Sequence, residues 1–595
     1  MIVHALHEKQ DARGYLTPDD MRSVAENLRV PLHRVNAVVS FFPHFRTTPP
    51  PTVDVHICRD MSCHLNGSVA MTERLSQWAA GKYSSDDVKV CGVSCLGRCD
   101  RAPAAMVNER LVASANDERL QRAVHALLDG ENPRFDSDHD TANKASWEMD
   151  IYKGRPHYEI AKRFVAEKWE PQNIIDALDD AMHLGLGGPG QRAYKKWEDV
   201  VNAAGDEKYV ICNADESEPG TFKDRDILLA APHLVVEGMI LGALVVGAKK
   251  GWIYIRHEYY EQIERCRQEI QTAKTMLPSV FLNFDMDVFP SPGGYICGEQ
   301  TALIEAMEDR RAEPRNRPPQ IMTNGYKNKP TLLSNVETFS WVPLIAEHWS
   351  TSGFVAKQRH WRDEEKRLIS EQKQKGVENP RIDLARIPAD PLPKRLFSIS
   401  GDVAQPGVYE VETSITLGEL IGNYAGGMRD NKSIAAVALS GPSGGVLPSV
   451  IPAKSLNGGR FPDNDLDVRK LQLDIGAARR GGYVLGAGIV IYGSGCNVLA
   501  EVVANSRFYR NETCGKCVPC RVGSYKITEM AERLYNGEVA KAELTGFGDI
   551  VRDLNDVMAE TSICGLGQVA SKPFASLLKF FPDVAEAACE DRTER

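Results

Sequence analysis

The stretch Cys514-Gly515-Lys516-Cys517-Val518-Pro519-Cys520, followed downstream by Cys564 in Ser562-Ile563-Cys564-Gly565-Leu566-Gly567, decides how the C-terminal part of the chain folds. Three thiolates at C-x2-C-x2-C spacing wrap one corner of a cubane, and a distant fourth closes it, as in a [4Fe–4S] site. Zinc is the competing reading, but zinc sites typically come as two separated C-x2-C pairs. Thiols this densely spaced do not suit a free-cysteine core. The segment 481–595 reads as a helical domain: the apolar run Tyr483 to Tyr492 predicts a buried strand at its start, and beyond Cys496 the pattern predicts helices around Cys514, Cys517, Cys520 and Cys564.

A second set lies near the N-terminus. Cys58 and Cys63 are spaced C-x4-C, and Cys95 and Cys99 are spaced C-x3-C. Two pairs suit a [2Fe–2S] centre, in which each iron takes one pair. Zinc again competes, although both spacings exceed C-x2-C. Cys91 makes a further C-x3-C pair with Cys95 and is a competing ligand. Cys91, Cys212, Cys266, Cys297, Cys496 and Cys589 are scattered and read as buried small hydrophobes.

The 595 residues suggest several domains. The net charge of −10 gives nucleic-acid binding no electrostatic support. The longest apolar segment, Leu234 to Ala248, is interrupted by Glu237 and glycines, so it reads as a buried helix and no membrane insertion is expected. Residues 1–8 lack a basic region followed by an apolar core. Cluster thiols must stay reduced, so a cytoplasmic location is expected, if need be peripheral to a membrane complex.

Along the chain, Thr17-Pro18-Asp19-Asp20 is a helix start. Val53, Val55 and Ile57 alternate with Asp54 and His56, a strand running into Cys58. This first module spans 1–130, and the polar segment 131–156 reads as a linker. The region 157–350 alternates helices and strands. It contains Gly185-Leu186-Gly187-Gly188-Pro189-Gly190, a G-x-G-x-x-G match preceded by a helix instead of the strand a dinucleotide fingerprint needs. Such a loop either lets backbone N–H groups approach a phosphate or flavin ring, or is only a turn. The strand Lys208 to Cys212 runs into the acid block Asn213-Ala214-Asp215-Glu216-Ser217-Glu218-Pro219-Gly220. Ligands in α/β sheets lie beyond the carboxyl ends of strands, and acids placed there suit ribityl and ribose hydroxyls. Gly293-Gly294-Tyr295-Ile296-Cys297-Gly298-Glu299-Gln300 opens another helix and is able to take an anionic group. Residues 351–394 read as a solvated charged insertion, and 395–480 as a small β-grasp-like domain.

Taken together, the two cysteine sets, the glycine loop, Ile211 to Arg225, Tyr295-Ile296-Cys297-Gly298-Glu299 and Asn335-Val336-Glu337-Thr338 resemble one family over nearly the whole chain. It is the NADH-oxidising flavoprotein subunit of respiratory complex I, with its smaller [2Fe–2S] thioredoxin-like partner fused in front. Similar fusions occur in NAD-reducing hydrogenases and NAD-dependent formate dehydrogenases. The resemblance implies an α/β multidomain fold with a thioredoxin-like domain, a Rossmann-like FMN domain, a β-grasp-like (SLBB-type) domain and a C-terminal helical bundle. It implies FMN on Gly185, Gly187, Gly188 and Gly190, lined by Lys196, Asn213, Asp215, Glu216, Tyr295, Gly298, Glu299 and Asn335. Glu218, near the nicotinamide, and Lys196 become the candidate catalytic residues. Cys58, Cys63, Cys95 and Cys99 would hold a [2Fe–2S] cluster, and the C-terminal four a [4Fe–4S] cluster. The implied activity is NAD(P)H dehydrogenation with electrons passed to other redox subunits.

The chain departs from the family in the nucleotide pocket. It has Leu186 in place of Arg, and Gln191, Asp199 and Gln320 in place of the three Phe that sandwich adenine. Each such stacking pair contributes roughly 0.5–1.5 kcal/mol beyond area burial. Gln300 replaces a Glu that reads the ribose hydroxyls and repels a 2′-phosphate. These departures lead to two expectations: a preference for NADP(H), or an electron-relay subunit that keeps FMN and clusters but has lost the nucleotide.

Overall fold

The computed structural model describes residues 1–139, 147–188, 190–349, 354–375, 394–413, 415–453, 455–456 and 464–589. Thr17 and Asp20 close a capping box at the start of the helix Pro18–Asn27. The alternating stretch forms β1 (Val53–Cys58), which pairs in parallel with β2 (Val88–Val93) and antiparallel with β3 (Ala105–Val107). With β4 (Arg110–Val112) the order is β2-β1-β3-β4. Val53, Val55, Ile57 and Val88 bury one face against the helices Ser68–Ala80 and Asp117–Leu128, which leaves Asp54 and His56 on the other. β1 therefore delivers Cys58 at its carboxyl end, with Cys63 on the short helix Met61–Leu65.

Four parallel strands, β5 (Tyr209–Ala214), β6 (Lys250–Arg256), β7 (Asp285–Ser291) and β8 (Thr331–Asn335), form a second sheet in the order β7-β6-β5-β8. The apolar segment is the buried helix Pro232–Val246, and its Glu237 accepts a hydrogen bond from the Ala161 N–H at 2.9 Å. Among the described residues no single helix is long and apolar enough to cross a membrane.

A third sheet contains β9 (Lys394–Gly401), β10 (Gly407–Glu412), β11 (Ile434–Pro442) and β12 (Leu447–Pro448). β13 (Val450–Ile451) and β14 (Leu466–Asp467) make a small separate ribbon. β15 (Gly488–Gly493) lies between β9 and β11 in the third sheet, parallel to β9. The C-terminal helices include Val498–Glu512, Val518–Tyr535, Leu544–Thr561 and Lys572–Phe580.

The structure alters several expectations. The buried strand expected at Tyr483 to Tyr492 forms as β15, with Ile489, Val490 and Ile491 buried, but it is a central strand of the third sheet, so the domain boundary expected at 481 falls after it and only the later part of 481–595 is helical. Within 351–394, the described part holds the helix Phe354–Gln374. It is pinned to the helix Pro171–Asp180 by Arg359–Asp180 at 2.8 Å and Arg362–Asp179 at 2.7 Å, and the rest lies outside the described residues. Of the six scattered cysteines, Cys212, Cys266 and Cys297 are buried as expected, whereas Cys91, Cys496 and Cys589 are half-buried. Of the expected linker 131–156, residues 140–146 lie outside the described residues, but Asp138 is only 3 % exposed. It pairs with Arg98 at 2.7 Å and with Arg101, and it accepts from Gln262 at 3.0 Å.

Burial alone would raise the Asp138 carboxyl, but Arg98, Arg225 and Arg101 hold it well below the usual carboxylate range. Its stabilisation is therefore complete above the carboxylate range and declines as the pH falls through it. Asp138→Ala strips the buried Arg98 of its carboxylate and leaves Arg101 only the longer contact to Asp100, and is expected to cost about 3–5 kcal/mol. The measurement is the urea midpoint followed by far-UV circular dichroism, and an unchanged midpoint would contradict the assignment.

Candidate functional site

Cys517 is the N-cap of the helix Val518–Tyr535, Cys520 sits in its first turn, and Cys564 is the N-cap of the helix Gly565–Val569. Cys514 precedes them in a turn made possible by Gly515 at φ +76°. All four line one small cavity with Ile296, Pro314 and Leu566. Gly567 leaves no room for a side chain, since a Cβ there would lie 2.8 Å from the Cys520 Cβ. Burial pushes the Cys520 thiol up to about 12 and the Cys564 thiol up to about 11. Bare thiols are thus protonated there, and iron would take the protons' place. Four soft donors in an apolar lining fit a [4Fe–4S] cluster.

Cys58, Cys63, Cys95 and Cys99 are all buried, and the Sγ atoms of Cys95 and Cys99 are 3.6 Å apart. Backbone N–H groups point at the sulfurs: Ala104 at Cys63 (3.4 Å), Gly97 at Cys95 (3.4 Å) and Gly220 at Cys99 (3.3 Å). Such donors stabilise thiolate charge and suit a [2Fe–2S] centre. Cys91 lies up-strand, opposite His56 in register and outside this set. Because Gly220 ends the acid block, this thiol set directly abuts the ends of the parallel strands.

Those strand ends form a cradle. After the helix Pro171–Asp180 the glycine loop turns back through a Leu184–Arg192 bridge into the helix Ala193–Asn202. Pro189 lies outside the described residues. A Cβ on Gly187 would sit 2.6 Å from the Asn335 Cβ, so only glycine fits. Gly190 takes φ +63°. Gly185 N–H donates to the Gln191 carbonyl at 2.7 Å, and a Cβ on Gly188 would meet open space. Asn213 Nδ2 donates to the Gly298 carbonyl at 2.8 Å. Both carboxylate oxygens of the buried Asp215 lack a donor among the described residues, since the Ser291 hydroxyl donates to Tyr254. Burial pushes Asp215 up to about 8, and a Cβ on Gly298 would lie 3.7 Å from its Oδ2. An orphaned carboxylate beside a bare glycine fits a hydroxyl-rich ribityl chain.

Glu218 accepts from the Tyr295 hydroxyl and from the Ser443 N–H at 3.2 Å, and burial pushes it up to about 7. Lys196 Nζ lies 3.4 Å from Gln300 Oε1 and 3.3 Å from the Leu333 carbonyl, and burial lowers it to about 8. Asn335 caps the helix Val336–Ser340 and donates to Asp224 at 2.6 Å.

Two acids expected to line the cradle are committed elsewhere. Glu216 accepts from the Asp224 N–H (3.0 Å), the Arg225 N–H (3.2 Å) and the Tyr259 hydroxyl (3.1 Å), so its lone pairs serve the start of the helix Lys223–Ala230. Glu299 caps the helix Gln300–Met307 and pairs with Arg317 at 3.1 Å. Sequence reasoning missed Lys223, buried among Asp224 (2.6 Å), Glu337 (3.0 Å) and Asn335 (3.2 Å). It also missed Arg256, which donates to the Cys95 carbonyl (2.6 Å) and the Glu216 carbonyl (2.7 Å), and Glu512, which accepts from Ser94 and from the Tyr295 N–H at 2.9 Å. A charged residue inside a quoted motif signalled Lys223; nothing local signals the other two.

Family models match along the chain: a thioredoxin-like [2Fe-2S] ferredoxin over 1–128, the Nuo51 FMN-binding domain over 178–344, an SLBB domain over 395–478, and the NADH-ubiquinone oxidoreductase-F iron-sulfur binding region over 501–588. The chain is 35 % identical to the NADH-quinone oxidoreductase F subunit of Aquifex aeolicus, over 69 % of this chain and 85 % of that one. It is 27 % identical to NAD-reducing hydrogenase HoxS subunit alpha of Cupriavidus necator, over 98 % and 91 %. NADP-reducing hydrogenase subunit HndC of Solidesulfovibrio fructosivorans is 32 % identical over 71 % and 77 %. Among solved structures, an NAD+-reducing [NiFe]-hydrogenase in the H2-reduced state superposes with a TM-score of 0.79 at 27 % identity, over all of this chain and 94 % of that one. With two thiol sets flanking a cradle at the ends of a parallel sheet, this chain belongs to the family of NADH-quinone oxidoreductase F subunits.

Proposed function

We propose that this chain is an FMN- and iron–sulfur-dependent NAD(P)H dehydrogenase module that exchanges electrons between a nicotinamide nucleotide and partner redox subunits. The observation that carries this is the unpartnered carboxylate of Asp215 in a cradle lying between two sets of four cysteines. FMN, when bound, supplies the conversion between hydride transfer and single-electron transfer that such a position requires. Gly187 packs its backbone against Asn335 and Gly298 against Asp215, which lets both loops close on the cradle. Asp215 accepts hydrogen bonds from ligand hydroxyls. Lys196 presents an ammonium to an anionic group. Tyr295 and Ser443 hold Glu218 in one position at the mouth of the pocket and keep its carboxylate away from bulk water. Cys58, Cys63, Cys95 and Cys99 hold the [2Fe–2S] cluster, and Cys514, Cys517, Cys520 and Cys564 the [4Fe–4S] cluster. The need for reduced thiols supports a cytoplasmic location.

The nucleotide is NADP(H) by preference. Gln300 is neutral where a carboxylate would repel a 2′-phosphate, and Lys196 and Arg317 both place positive charge beside it. The partner subunit docks beside the C-terminal cysteines. Val518, Val522 and Tyr525 recur on one side of the helix that Cys517 begins and are 59 %, 55 % and 63 % exposed.

Anaerobic bleaching of the loaded protein tests the main reading. NADPH is expected to bleach the flavin and iron–sulfur bands faster than NADH, and Gln300→Glu to lower the NADPH rate by at least about tenfold. Bleaching by dithionite alone would mean the relay reading, in which cofactors remain and nucleotide use is lost. FMN affinity of the apoprotein should weaken about tenfold between pH 7 and 9, as the ammonium of Lys196 is lost above about 8. Asp215 ionises over the same window and, as the better acceptor for ligand hydroxyls, opposes this loss. Fluorescence titration of Lys196→Gln, expected to flatten most of the dependence, separates the contributions. Val522→Asp should abolish electron delivery to the partner while leaving ferricyanide reduction by the nucleotide intact.

A further inference from the structure

Cys91 has no place in either cysteine set, and its surroundings give it another. β1 and β2 are parallel, and His56 and Cys91 are register partners. Asp54 stands two residues before His56, on the same face of β1. The three side chains therefore converge on the side of the sheet away from the buried Val53, Val55 and Ile57. A carboxylate oxygen of Asp54, a ring nitrogen of His56 and the Cys91 sulfur all lie within 4.8 Å of one another. Asp54 is only 8 % exposed, and its Oδ1 accepts no hydrogen bond. Its Oδ2 is occupied by Arg46 at 2.7 Å and by His56 Nε2 at 3.2 Å.

We propose that Asp54, His56 and Cys91 form a mononuclear zinc site, separate from both iron–sulfur centres. One thiolate, one imidazole and one carboxylate are an N/O/S donor set suited to zinc. The free Oδ1 is the carboxylate donor, which leaves Oδ2 with Arg46. Zinc binding expels the Cys91 thiol proton, and any proton on His56, to solvent. The thiolate and the carboxylate then balance the two positive charges of the ion. His56 and Cys91 are half-buried, so water completes the fourth position. The site ties β1 to β2 just before those strands deliver Cys58 and lead into Cys95. It also removes Cys91 from competition for iron.

The test uses the full chain with both clusters loaded, stripped of loose metal and titrated with zinc against a chromophoric chelator, with zinc and iron counted by mass spectrometry. One zinc per chain is expected to bind with the iron content unchanged. Its X-ray absorption should show one sulfur at about 2.3 Å and lighter ligands at about 2.0–2.1 Å. Cys91→Ser and His56→Asn, each with full iron content and unchanged circular dichroism, should lower the affinity by more than about 100-fold, beyond what loss of a supporting contact costs. Zinc should also slow alkylation of Cys91 by iodoacetamide. Three outcomes would overturn the proposal: no zinc uptake, unchanged uptake in both variants, or iron lost in step with zinc gained. Rapid alkylation of Cys91 unaffected by zinc would instead make it a histidine-activated thiol, and would overturn it as well.

Discussion

The guanidinium of Arg225 clasps both carboxylate oxygens of Asp100 at 2.9 Å and donates to the Gly97 carbonyl at 2.9 Å. It is almost fully buried, and so is Arg256, which reaches the Cys95 and Glu216 carbonyls. A charge taken out of water must recover its hydration from partners with good geometry, or the fold loses several kcal/mol. Here the partners belong to two different modules: the loop 95–101 that carries half of one thiol set, and the segment 216–225 that leaves the parallel sheet. Neither module satisfies these guanidinium groups alone. The fusion of a thioredoxin-like domain to a flavin-binding domain is therefore a single electrostatic structure. Its buried positive charge sits beside thiolates that need it.

Glu512 does the same for the C-terminal helices. It lies two residues before Cys514 and accepts from Ser94, next to Cys95, and from the backbone of Tyr295. The Tyr295 hydroxyl in turn donates to Glu218, which also takes the Ser443 N–H from the turn after β11. One path of hydrogen bonds thus runs from the N-terminal thiol loop through the end of the helix Val498–Glu512, just before Cys514, to the cradle and the third sheet. Shifting any of these elements leaves a buried acid unpaired, which fixes the spacing between the centres without a contact between the cysteines themselves.

How legible these features were follows from how local they are. C-x2-C-x2-C and the paired N-terminal spacings are set by a few bonds, so the sequence shows them directly. The capping box at Thr17 and the alternation of Val53 to Ile57 are equally local. Glu216 and Glu299 misled because an acid in a binding motif looks like a donor set for a ligand, whereas here backbone N–H groups at helix starts consume those lone pairs. The apolar run of β15 is local and so legible as a buried strand, but its seat between β9 and β11 is not, because strand pairing is set by tertiary structure. Asp138 and Cys91 are invisible in sequence for one reason. The arginines of the first and the strand partner of the second lie dozens of residues away, joined only by tertiary structure.

At the proposed nucleotide pocket, the residues present favour recognition by charge over recognition by stacking. Gln191, Asp199 and Gln320 stand exposed, at the positions where the family resemblance implies stacked aromatic rings worth roughly 0.5–1.5 kcal/mol per pair. Lys196, with its charge partly desolvated, and Arg317, held by Glu299, remain at the cradle beside a neutral Gln300. Point charges in a partly buried site act more strongly than the same charges in water, and they favour the ligand with more phosphate. On the proposed reading, a pocket that lacks flat apolar contact, has a neutral Gln300 and keeps Lys196 beside an Arg317 paired with Glu299 would select for charge over shape. That is the physical basis of the proposed preference for the nucleotide carrying a 2′-phosphate.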